Sequence, residues 1–400
     1  MFSLRNFYSI VYKHLLEPIQ LHYFYFSDAG SIHPRDLATC NNKKNTMDFA
    51  LFYDQEPIYQ RNLAKLWGTE SNEAIGRWHS YVTTSHSGMI QTHPKLFLFA
   101  NSEHSREKDD FLKNIYTYQD WYYFFHGFAA LDWFRDIEYQ PPIRKFERVF
   151  LSFNNLFIDT RSYRLNLIAR LLDKNLQGKG FISISQDNTV GKIKNEIFSK
   201  DSLLSIESKK LIVKNMLPAP PRLIIDTENP HGALSADDNL ETMCLGLFHV
   251  VTETIFYDEK LHLTEKIFKP IVARRPFVLV AAPGNLKYLK SYGFKTFDKW
   301  IDESYDDDTD NDVRIIKIVN EIERLCNLTA DELDAMYTEM SDILDYNFDW
   351  FYNGFKKTIV NEMVDNLNRC IIHHNAGRPS FSQVNRSLID FEQVKLTLGC

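Results

Sequence analysis

Over the first 148 positions the apolar residues come in short bursts, rich in aromatic and β-branched side chains and each ending in polar ones: LHYFYFSD (21–28), MDFALFYDQEP (47–57), HSYVTTSHSG (79–88) and PKLFLFANSEHS (94–105). Runs of this length with turn residues behind them predict strands. Stretches with helical spacing, Tyr59–Trp67 and Glu107–Asn114, lie between them. Such alternation predicts a parallel sheet crossed by helices. Tyr116–Phe134, YTYQDWYYFFHGFAALDWF, is almost continuously aromatic. It reads as a buried, tyrosine-rich helical region or, alternatively, as a binding surface.

The segment QPPIRKFER (140–148) reads as a linker, and a second series begins behind it. RVFLSFNN (148–155), GFISIS (180–185), LFHVVTE (247–253) and FVLVAA (277–282) predict strands. Helices are expected over about Ser162–Leu176, along a lysine-rich stretch after residue 185, from Thr264, and over NLKYLKSY with Gly293 as its C-terminal cap. Pro218–Leu240 is polar and proline-rich and predicts a long loop of the kind that lines a site. Arg314–Asn375 carries apolar residues at helical spacing (Ile315, Ile318, Val319, Ile322, Leu325, then Met336, Met340, Ile343) and predicts long helices. The expected class is α/β: an N-terminal unit over 1–145, a second unit over 146–345, and a C-terminal helix and tail over 346–400 that packs back on the first unit.

A chain of 400 residues, 44% hydrophobic and 25% charged, has ample core for two domains. Its charge is uneven: 16 basic against 17 acidic residues over 1–148, 12 against 8 over 149–230, and 18 against 28 over 231–400. A whole-chain case for nucleic-acid binding therefore fails, while a local anion site near the middle third stays open. The five cysteines are scattered without a C-x-x-C pair and read as reduced thiols. No apolar run is long enough to span a membrane, and Arg5, Lys13 and His14 interrupt any leader-like core at the N-terminus. The expectation is a cytoplasmic protein.

Two successive parallel units would face one another across a cleft, with the carboxyl ends of their strands toward a ligand. Asn154 stands at one such end, followed by Arg161 and Arg164 at a helix start, where guanidinium forks and backbone N–H groups suit phosphate oxygens. Thr264, Glu265 and Lys266 open a helix: Thr264 fits an N-cap and Glu265 the first turn, but Lys266 has the wrong charge for stabilising a helix start. That broken rule points to an anion such as a diphosphate, with Glu265 accepting from sugar hydroxyls and Glu253 supplying a second carboxylate at the same opening. Pro270 implies that this helix is short or kinked. Asp54 and Glu56, just after a predicted strand, are the candidate general bases; His86 and His126 compete with them. YDDDTDND (305–312) contains overlapping Asp-x-Asp patterns but lacks an EF-hand glycine, so it reads as a solvated acidic loop and no metal site is expected. No Walker loop, G-x-G-x-x-G or Ser-His-Asp spacing occurs.

The run TEKIFKPIVARRPFVLVAAPGNLKYLKSYGF (264–294) with KTFDKWIDESYD behind it resembles glycosyltransferases of the GT-B type found in bacteriophages and bacteria. Its Thr-Glu-Lys core is similar to the donor motif of the α1,3-fucosyltransferase family, and LSFNNLFIDTRSYRLNLIARLLDKN is similar to the first strand and helix of the phage enzymes' donor domain. The resemblance implies two Rossmann-like domains with the nucleotide-sugar held by the second. Glu265 and Lys266 would contact ribose and diphosphate, with help from Arg161 or Arg164. It also implies sugar transfer without a metal or cofactor, the nucleotide-sugar being a co-substrate. The acceptor would be a glycan or a hydroxymethylated base of phage DNA. The rival is a non-catalytic sugar- or nucleotide-binding module of the same fold. Sugar, nucleotide, stereochemistry and oligomeric state stay open.

Overall fold

A computed structural model describes residues 14–17, 49–52, 57, 97–113, 119–184, 189–218 and 240–376. Asp54, Glu56, His86, the loop 219–239 and the tail 377–400 lie outside them. The fold is mixed α/β with parallel sheets and C-terminal helices. It divides into two compact units: the described residues up to Asp132 together with those from Lys356 onward, and Trp133–Phe355.

In the first unit, β1 (Phe49–Phe52), β2 (Phe97–Asn101) and β4 (Gln119–Tyr122) form a parallel sheet in the order β1-β2-β4, with β3 (His104–Ser105) and the helix Arg106–Lys113 following β2. The aromatic run expected to be helical is divided. Its first part is β4, registered on β2 with Asn101 opposite Tyr122, and only Phe125–Trp133 is helix. Residues of high β-propensity beside a strand with open backbone groups take the ladder, and local pattern alone does not show that neighbour. The long helix Lys356–Asn375 covers β4: Trp121 Nε1 donates to Met363 O (3.3 Å) and Asn366 Nδ2 to Tyr122 O (2.8 Å).

In the second unit, β5 (Arg148–Asn154), β6 (Gly180–Ile184), β7 (Gly246–Thr252) and β9 (Phe277–Val280) make a parallel sheet ordered β6-β5-β7-β9; β8 (Lys260–Leu261) is a two-residue strand. Every residue of β7 and β9 is buried, as expected of parallel strands covered on both faces. Gly246 permits the close approach of β7 to β5, since a Cβ there would lie 2.6 Å from Leu151 N. Helices Tyr163–Asp173, Thr189–Phe198 and Ile206–Asn215 follow β5 and β6. Helices Asn311–Cys326, Ala330–Glu339 and Ser341–Trp350 form the carboxyl part of the unit. Phe268 packs on Phe351 and Phe355 there, each at 5.2 Å between ring centroids. Gly293 closes the helix Asn285–Ser291 in the left-handed region (φ 86°), as its sequence position suggests.

Three buried arginines bind main-chain carbonyls around this sheet. Arg275 donates to Lys145 O (2.8 Å) and Cys244 O (3.2 Å), before β5 and β7 begin. Arg314 donates to Ala281 O (3.2 Å), just past β9, and to Asp308 O (2.6 Å), and its guanidinium lies 4.2 Å from the Phe256 ring centroid. Burial lowers the Arg314 pKa to about 10, still charged at neutral pH. Arg164 is the third. Each guanidinium satisfies carbonyls that strand ends leave unpaired. No described helix is long and apolar enough to cross a membrane.

Candidate functional site

The chain leaves β5 toward β6 on one side and later returns to β7 on the other, so the strand order reverses between β5 and β7. In open parallel sheets the crevice outside the carboxyl ends at such a reversal is where ligands bind. Asn154 closes β5 and Thr252 closes β7, with Glu253 next in sequence. Thr252 Oγ1 is within hydrogen-bonding distance of both Phe153 O (3.0 Å) and Asn154 Oδ1 (3.2 Å), while Asn154 Nδ2 donates to Ser152 Oγ (2.9 Å). Asn154 is wholly buried, so it joins the two strand ends.

Arg164 is 3% exposed. Its Nη1 donates to Leu156 O (2.7 Å), and Nη2 to Thr252 O (2.8 Å) and Glu253 O (3.1 Å). The guanidinium expected to meet phosphate thus ties the loop after β5 to the end of β7. The Tyr163 hydroxyl also donates to Glu253 O. Arg161 is placed differently, half-buried in the 3-10 turn Asp159–Arg161 that precedes the helix. Asp159 opens that turn at φ 58°, and its N–H donates to Glu196 Oε2 (2.8 Å). A non-glycine residue held in the left-handed region is strained, and here the strain shapes the loop leaving β5.

Glu253 has no exposed surface, although a carboxylate at the opening was expected. Its Oε1 accepts from Thr264 N (3.2 Å), and its Oε2 accepts from Thr254 N (3.3 Å) and from the Thr264 hydroxyl. A buried carboxylate is tolerated when several donors serve it. Thr264 is the N-cap of the turn Glu265–Ile267, accepting from Lys266 N (3.4 Å), and the turn runs into the five-residue helix Phe268–Val272 that contains Pro270. Lys266 Nζ donates to Thr264 Oγ1 (2.9 Å) and lies 3.2 Å from Glu265 Oε1. The Lys266 side chain is 28% exposed and that of Glu265 10%. Two of the three ammonium donors therefore have acceptors among the described residues, on a side chain that is itself partly exposed.

Sequence reasoning passed over the aromatic loop beyond β7. Tyr163 stacks on Phe256 with centroids 4.5 Å apart, and the Tyr257 hydroxyl lies 3.0 Å from Ser162 Oγ. Burial raises the pKa values of Tyr163 and Tyr257, keeping both phenols protonated. The adjacent Phe256–Tyr257 pair just past a strand end was the available signal.

The acidic run is less solvated than expected. Asp306 is buried and caps the helix Asn285–Ser291, accepting from Leu286 N (3.0 Å) and Lys287 N (3.3 Å). Burial nevertheless raises its pKa to about 6. Asp310 caps the helix Asn311–Cys326 through Asp312 N and Val313 N, both at 2.9 Å. Among the described residues no group of three or more His, Cys, Asp or Glu is arranged to hold a metal ion. His126, the described histidine among the base candidates, is buried within Phe125–Trp133 in the first unit.

Compared with protein-family models and with curated protein sequences, the chain matches none.

Proposed function

We propose that the protein is a GT-B glycosyltransferase of two Rossmann-like domains. It moves a sugar from a nucleotide-sugar to a hydroxyl of a glycan or of a hydroxymethylated base in phage DNA. One observation carries the reading: Lys266, partly exposed, has its ammonium fixed by Thr264 and Glu265 in the turn after β8, and Thr264 is bonded to Glu253 just past the end of β7, where the strand order reverses. An ammonium beside a carboxylate suits a ligand that offers phosphate oxygens and hydroxyl groups together. Lys266 would bind the diphosphate and Glu265 the ribose or sugar hydroxyls, with Arg161 as a second cation.

In the transfer, the acceptor oxygen bonds to the anomeric carbon, the bond from that carbon to the diphosphate oxygen breaks, and its electron pair leaves with the nucleoside diphosphate. Lys266 would stabilise that developing charge, without a metal or cofactor in the scheme. A base, Asp54 or Glu56, would take the acceptor proton if the reaction inverts.

Thermal unfolding with UDP, GDP, CDP and ADP and their sugars tests the reading, because a ligand that binds only the folded state raises the midpoint. A selective rise with one nucleotide, lost in Lys266→Ala, is expected. No rise with any of them refutes the donor site. Binding that persists while Asp54→Asn and Glu56→Gln leave every property unchanged would instead favour the non-catalytic module.

A further inference from the structure

We infer that Glu253 is a positioning residue that sets Lys266 through the Thr264 hydroxyl; its consequence for nucleotide binding rests on the donor-site reading above. The polarity of the chain of bonds is fixed by chemistry. A carboxylate accepts only, an ammonium donates only, and a hydroxyl has one proton. Thr264 Oγ1 lies between Glu253 Oε2 and Lys266 Nζ, so it must give its proton to the carboxylate and turn its lone pairs to the lysine. Thr264 is 1% exposed and Glu253 has no exposed surface, so water does not substitute for either partner. The same carboxylate holds Thr264 N at 3.2 Å, fixing the backbone from which the lysine springs. Its main-chain oxygen is bound by Arg164 (3.1 Å) and Tyr163, so Glu253 is anchored to the helix after β5 as well.

The arrangement explains a carboxylate at a strand end that no ligand can reach. Glutamine at 253 could donate its amide N–H to Thr264 Oγ1, which lets the hydroxyl proton turn toward Lys266 and removes one of the lysine's two acceptors. Valine at 264 removes the link at nearly constant volume, and serine restores it.

Two readouts separate the relay from the donor reading. The first is acetic anhydride labelling of Lys266 in nucleotide-free protein, followed by mass spectrometry. Loss of a charge-assisted hydrogen bond should raise labelling about threefold or more in Thr264→Val and Glu253→Gln, with Thr264→Ser within about twofold of wild type. The second is calorimetric titration with whichever of UDP, GDP, CDP and ADP binds the wild type. Each of the two disrupting variants should lose about tenfold in affinity, and the double variant no more than the worse single one, as residues acting in one chain are not additive. Unchanged labelling in Thr264→Val, or losses that simply add, would overturn the relay. If no nucleotide binds the wild type the donor reading falls, and the labelling still decides the relay. Thr264→Val keeps the test usable should Glu253→Gln fail to fold.

Discussion

Replacing Arg164 with methionine should destabilise the second unit while largely preserving any anion site, because the guanidinium serves carbonyls and the Tyr163 hydroxyl still holds Glu253 O. It makes three hydrogen bonds to main-chain oxygens, at 2.7 Å to Leu156, 2.8 Å to Thr252 and 3.1 Å to Glu253. Leu156 is 49% exposed, so water can replace the arginine at that carbonyl. Thr252 and Glu253 are 2% and 0% exposed, and Glu253 O keeps the Tyr163 hydroxyl. The main loss is thus one buried carbonyl left without its charged donor and one weakened. Hydrogen bonds to charged groups contribute about 1.5–3 kcal/mol each, so the two together give about 2–4 kcal/mol after the desolvation of the guanidinium is recovered. Urea unfolding followed by near-UV circular dichroism measures it, with Arg161→Met as the comparison. Arg161→Met should leave the unfolding free energy within about 0.5 kcal/mol of wild type, like most partly exposed substitutions, and reduce the nucleotide-dependent rise in stability. The reasoning is refuted if Arg164→Met has wild-type stability and has lost nucleotide binding, since the guanidinium would then be a ligand contact.

His249 and Asp306 should act on acid stability in opposite directions. Burial lowers the His249 pKa to about 3 against an ordinary 6.5, so its stability is present above 6.5 and is lost as pH falls, at about 1.4 kcal/mol per pH unit; His249→Gln should remove that slope in pH-dependent urea unfolding. Burial raises Asp306 to about 6 against 3.8, so its contribution is present below 3.8 and is lost as pH rises through 6, about 3 kcal/mol in all; Asp306→Asn should make stability rise more steeply with pH between 4 and 6. Glu265→Gln, which removes the carboxylate 3.2 Å from Lys266 Nζ, should raise affinity for inorganic pyrophosphate roughly tenfold and lower that for the bound nucleoside diphosphate, as read by calorimetric titration. Gly246→Ala should cost about 1–3 kcal/mol in urea unfolding, because the new methyl would meet Leu151 N at 2.6 Å, a backbone atom that cannot rotate away.

Much of the second unit was legible because its strands are short apolar runs closed by polar residues, and burial on both faces produces such runs. Thr264 as N-cap, the short helix around Pro270 and Gly293 as a C-cap were legible for a related reason: each depends on backbone chemistry within a few residues. Tyr116–Phe134 was misread because its division into strand and helix depends on β2 and on the helix Lys356–Asn375, the latter more than 200 residues away. At the candidate site the sequence indicates which groups stand near the strand ends, but not which of their donors and acceptors are already engaged. Arg161 and Arg164 sit three residues apart with the same chemistry, and only the carbonyls of Leu156, Thr252 and Glu253 distinguish them. Glu253 and Glu265 differ in the same way: one has its carboxylate engaged by Thr264 with no exposed surface, the other, itself largely buried, lies beside the partly exposed Lys266. A charged residue at a strand end therefore suggests a ligand only once the backbone groups around it are accounted for. Parallel strands leave their last carbonyls without ladder partners, so some of those charges must be structural.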